Sequence, residues 1–171
     1  MTTRLEENEM NPKVRDAIQT AIDRCFQMNA LCDRMVYIML GPWYMQRFGS
    51  AFHERVAHAY PIIADKLSDV LLAEHEVVTR GAVVPQAQDY AGPTEMLAEY
   101  RGAVLETRRI IGDAYYTAFD NAEAGAATLL EDILEDYQEG MVPQAYLLAG
   151  KVAQYENNFA QIDSDYNIFF G

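Results

Sequence analysis

The chain has 171 residues, half of them apolar, enough to bury one sizeable core without disulfide or metal staples, so a single domain is expected. Its 26 Asp and Glu against 13 Lys and Arg leave a formal net charge of -13, a surface that repels phosphate backbones and draws cations. Two cysteines, a polar N-terminus without an apolar leader, and no apolar run near the roughly 20 residues of a bilayer span predict a reducing, cytoplasmic setting without secretion or membrane insertion.

Residues 1–11 read as a flexible, acidic arm. Pro12 then opens the first helix, where Val14, Ile18, Ala21, Cys25, Met28, Cys32, Met35 and Met39 repeat at 4-3-4-3 spacing, an inward row that stops at Gly41-Pro42. Cys25 and Cys32 are seven positions apart on that helix, too far along it to pair. The second segment, Tyr44 to Arg80, carries Phe52, Val56, Ile63, Leu67, Val70 and Val77 on one side, and Pro61 in its middle predicts one bent helix or two stacked pieces. Gly81 to Pro93 is a long connection. A third helix starts at Gly92-Pro93-Thr94, with Glu95 and Glu99 early in it, and runs through Leu97, Val104, Ile111, Ala114 and Ala118 to about Asp120. The fourth starts near Ala122 to Ala127 and turns Leu130, Leu134, Tyr137, Met141, Leu148 and Val152 inward, with Gly140 and Pro143 set to divide it. Two short turns and one long connection able to cross the bundle lengthwise predict an all-α, ferritin-like four-helix bundle over 12–156, followed by a tail at 157–171.

Several strings resemble the Dps family of mini-ferritins, which assemble as twelve-subunit shells. Gly41-Pro42-Trp43-Tyr44 is similar to that family's turn between its first two helices, and Leu72-Ala73-Glu74 with Arg80-Gly81 and Pro85 to the end of its second. Asn121 to Leu130 resembles the family's entry into its last helix, and Tyr146-Leu147-Leu148 its Trp-Met-Leu. The resemblance spans roughly positions 20 to 150 and implies a cytoplasmic homododecamer that oxidises and stores iron, a ferroxidase protecting against oxidative stress. It also marks a departure, because Val36 stands where the family has a ferroxidase histidine. The other family ligands match His53 or His58 and the pair Asp65 and Asp69 only with gaps, so two outcomes stay open: an iron-oxidising shell, or a shell that has lost its metal centre. A stand-alone helical module binding a small molecule or a partner protein is a third.

The residues themselves carry the same ambiguity. Counted as a regular helix, Glu54, His58, Asp65 and Asp69 lie within roughly 60° of one another, opposite the apolar side. Carboxylates with an imidazole suit iron and other divalent ions, yet the same pattern describes the solvated face of an amphipathic helix. His53 sits at the edge of the apolar stripe, as a ligand or a half-buried structural histidine, and His75 reads as a surface residue. No Glu-x-x-His occurs, so a di-iron centre inside one subunit is not expected. Glu131, Glu135 and Glu139, with Asp132 and Asp136, form either a solvated face or an acidic pore or mineral-nucleating surface. The first helix and its arm mix Arg4, Lys13 and Arg15 with Glu6, Glu7 and Glu9, and no Lys or Arg follows Lys151, which predicts weak or no DNA binding.

Overall fold

The computed structural model describes residues 9–171, and every regular element among them is helical. The helix α1, Pro12–Leu40, begins where the Asn11 side chain accepts from the Lys13 N–H at 2.9 Å and Pro12 fills the first turn, which needs no donor. The predicted 4-3-4-3 row of α1 is buried, with Cys25 and Cys32 as free thiols. The N-terminal arm falls, over residues 1–8, outside the described part. Its last residues are packed: Met10 is buried, and the Asn11 N–H donates to Glu123 at 2.8 Å, tying the start of α1 to a distant turn.

The second segment is broken, and upstream of the expected place. It comprises α2, Gln46–Phe52, a π-helical turn, His53–Ala57, and α3, Ala59–Ala73. No side chain of α2's own caps its start; Asp163 from the C-terminal tail does so, accepting from the Arg47 and Phe48 N–H groups at 2.8 Å each. Pro61 sits in the first turn of α3 and not at a kink. The segment ends at Ala73, short of the expected Arg80, because His75 takes a left-handed φ of 60°. Glu76 N–H then bonds Leu71 O at 3.0 Å and His75 N–H bonds Leu72 O at 3.1 Å, which closes the last turn.

From there to Pro93 the chain has neither helix nor strand and follows α1. Gln19 holds Thr79, Asp23 holds the Gly81 N–H, Gln27 holds Val84, and Arg34 holds Ala87, Gln88 and Asp89, in step along both segments. Gln19 to Arg34 spans about 22 Å of helix at 1.5 Å per residue, so the connection runs lengthwise and not as a tight hairpin. A Cβ on Gly81 would lie 2.7 Å from the Asp23 carboxylate, which explains a glycine there.

The helix α4, Pro93–Asp120, is followed after a turn by α5, Ala124–Glu139, and α6, Met141–Ala153, which divide at Gly140 as the Gly140 to Pro143 punctuation predicts. Two short helices, α7 (Phe159–Ser164) and α8 (Tyr166–Phe170), fold back so that Phe169 and Phe170 meet the Phe48 ring at 5.3 and 5.1 Å. The α1 helix packs along α3 and α4, α4 along α5 and α6, and α3 against α5. Among the described residues Thr107 is the one polar residue in the buried core. Each large side chain buried there contributes about 1.5–3 kcal/mol. None of the described helices is long and apolar enough to cross a membrane.

Candidate functional site

The site of interest begins with a proline that cannot donate. In a regular helix the residue 61 N–H would bond the Ala57 carbonyl, and Pro61 has none. Asn29 of α1 supplies the missing donor, its side-chain amide reaching Ala57 O at 3.1 Å. Just before, the His58 N–H bonds His53 O at 3.1 Å, the i to i+5 pairing of a π turn, which carries an extra residue.

That extra residue changes which side chains meet. Five residues apart on an α-helix, two side chains diverge by about 140°, whereas a π turn brings them back into line. The His53 and His58 rings accordingly lie 4.2 Å apart between centroids, tilted by 59°. Across the helix pair, Asp33 of α1 puts a carboxylate oxygen 4.0 Å from His53 Nε2, with side-chain exposures of 31% and 44% that leave this pair half in water. The next residue but one, Arg55, donates to the Phe170 carbonyl, so the C-terminal tail braces the turn.

The five sequence candidates therefore separate. His53 and His58 converge. Glu54, Asp65 and Asp69 are exposed, as a polar face requires, but they do not join the imidazoles. Asp65 lies seven residues, about 10 Å of helix rise, beyond His58, too far to share one ion with it. The regular 100° count also fails across 53–58, because the π turn rotates Glu54 out of phase with the α3 acids. Among the described residues no group of three or more His, Cys, Asp or Glu stands close enough to hold a metal ion by itself. Asp33 and Asn29 were not singled out by sequence reasoning; their only signal is the i, i+4 spacing of two polar residues beside the inward row of α1.

The interior is built of phenols and thiols. Tyr60 of α3, Tyr100 of α4 and Tyr137 of α5 are buried together near Cys25 and Cys32. The Tyr60 and Tyr137 hydroxyls bond each other at 3.1 Å, and Tyr137 donates on to Val104 O at 3.3 Å. The Tyr100 hydroxyl is buried beside that of Tyr60 but makes no well-formed hydrogen bond. Arg24 reaches in from the rim to donate to Thr107 at 3.0 Å and to the Ala103 carbonyl at 3.1 Å. Burial pushes the Cys25 thiol up to about 12 and raises Cys32 and all three phenols well above their ordinary ranges. At neutral pH these groups stay protonated, and among the described residues a cation between the helices would find hydroxyls and thiols but no buried carboxylate.

Compared with models of known families and with curated proteins, the chain matches none.

Proposed function

We propose that the chain is a Dps-like protein that takes iron as its substrate on the imidazole pair His53–His58 beside Asp33, and not within the helical interior. The lengthwise run of 74–92 along α1, and the packing of α1 on α3 and α4, support a ferritin-like four-helix bundle with one long crossover, as do the Gly41-Pro42 and Asn121 to Leu130 strings. The observation that carries the reading is the π turn, which holds two imidazoles in contact at a half-exposed edge next to a carboxylate. Imidazole suits ferrous iron and its first-row neighbours, and the Asp33 carboxylate 4.0 Å from His53 adds negative charge that favours a cation there. Two imidazoles leave coordination positions free for water, or for groups of a second copy in a homododecameric shell of the cytoplasm. The acid-rich surface favours accumulation of Fe(II) and disfavours DNA.

Anaerobic titration with Fe(II), followed by admission of dioxygen as the electron acceptor and optical monitoring of Fe(III) formation, tests the reading. His53→Ala and His58→Ala should each weaken binding and slow oxidation, while the double variant Asp65→Ala, Asp69→Ala should leave both unchanged. Loss in the aspartate variant with none in the histidine variants would remove the assignment. A second reading, a catalytically silent structural shell, is favoured by the phenolic interior; it predicts a shell-sized mass in solution with no iron oxidation at all.

A further inference from the structure

A slot runs along the outside of the fold between α3 and α5, starting at Ala59, the residue after His58, and its lining includes neither histidine. Two cavities of about 230 and 290 Å³ share Lys66, Ile133 and Asp136 and so form one continuous groove. Its floor is apolar: Ile62 and Ile63 of α3 face Ile133 and Met141 at one end, and Val70 faces Leu129 at the other. Ile62 is 57% exposed and Leu129 43%, a considerable apolar area to leave in water on so acidic a protein. From residue 59 to 70 on α3, and from 129 to 140 on α5, the groove is about 16 Å long, three turns of a helix.

The rim determines the kind of occupant. Asp69, Asp132 and Asp136 line the groove, and among the described residues Lys66 is the one cation lining it. Lys66 is held to Asp136 at 3.8 Å with both side chains largely exposed, a pair of the sort that yields readily to a competing cation. Glu135 and Glu139 of α5 stand exposed just beyond. Apolar floor, acidic rim and a length of three turns together match an amphipathic helix whose apolar stripe carries flanking lysines or arginines. An anionic amphiphile meets the same floor but a repelling rim, and a second copy joined through this same groove would set Asp69, Asp132 and Asp136 against their own counterparts.

We propose that the α3–α5 groove is a docking surface for a basic amphipathic helix of a partner protein. The test uses the full chain and a fluorescein-labelled 14-residue Leu/Lys peptide of helical spacing, with a Leu/Glu peptide of the same pattern as control, read by anisotropy. The Leu/Lys peptide should bind and the Leu/Glu peptide should not. Reversing two rim charges, Asp132→Lys with Asp136→Lys, should weaken binding at least tenfold, while reversing two charges elsewhere, Asp120→Lys with Glu156→Lys, should change it less than threefold. Ile62→Ser, at an exposed position, should weaken it severalfold with an unchanged melting temperature. Equal losses from both charge reversals, or no effect of Ile62→Ser, would reduce the binding to the protein's general acidity and overturn the proposal, as would a dimer formed through this groove in the absence of peptide.

Discussion

Replacing Asn29 by alanine removes the donor that compensates for Pro61. Ala57 is fully buried, so water does not replace the lost partner, and its carbonyl is left unsatisfied at a cost of about 1–3 kcal/mol. Alanine's better helix propensity inside α1 returns about 0.6 kcal/mol of this, for a net loss of about 0.5–2.5 kcal/mol. In a chain of this size that lowers the melting temperature by roughly 1–7 °C. The same reasoning fixes the rescue. Pro61→Ala restores an N–H four residues beyond Ala57, so the double variant should be more stable than Asn29→Ala alone, with a coupling energy of about 1 kcal/mol. Urea and thermal denaturation of the wild type, both single variants and the double variant supply the cycle. A loss below about 0.5 kcal/mol for Asn29→Ala, or additivity in the cycle, would refute the account of how the π turn is held.

Three further outcomes follow from the interior and the helix ends. Cys25, Cys32, Tyr60, Tyr100 and Tyr137 keep their protons in the folded state above the ordinary values of 9.0 for the thiols and 10.0 for the phenols, while the unfolded chain gives them up there. Stability is therefore full below about pH 9 and falls as pH rises through the unfolded values, by about 4 kcal/mol between pH 8 and pH 10, which urea midpoints at stepped pH will read; a flat profile would contradict it. Tyr100→Phe deletes a buried hydroxyl that makes no well-formed hydrogen bond and should be neutral or stabilising, whereas Tyr137→Phe removes the hydrogen bond to the Tyr60 hydroxyl and should cost about 1–3 kcal/mol, a contrast measurable by calorimetry. Ala122 closes α4 at a φ of 59°, with Glu123 N–H bonded to Ala118 O at 3.0 Å; Ala122→Gly should raise stability by about 1 kcal/mol in the same assay.

Helix positions and the inward rows were readable from the sequence because one apolar side of each helix must be buried, and that leaves a 3.6-residue period wherever the helix is regular. Val14 through Met39 shows it most clearly. The reading failed where regularity fails. The left-handed His75, a residue with no glycine signature, stops α3 seven residues before Arg80. Pro61 announced a disturbance, but the disturbance is a π turn upstream of it, placed there because Asn29 of a different helix can serve the Ala57 carbonyl. Such a pairing depends on tertiary contact and leaves no local pattern. The same turn made the angular count over Glu54, Asp65 and Asp69 misleading and joined His53 to His58, two residues that a regular helix would point apart. Asp33 likewise enters only by packing. Tyr60 and Tyr100 fall within apolar stripes, so their burial was accessible to the period, but their meeting with Tyr137 was not.

Anomalous diffraction from crystals of the full chain, soaked anaerobically in Fe(II), tests the central claim most directly. The account predicts a peak within bonding distance of the His53 and His58 imidazoles, on the side of Asp33. A peak at Asp65 and Asp69, or among the phenols between the helices, with none at the histidine pair, would contradict it.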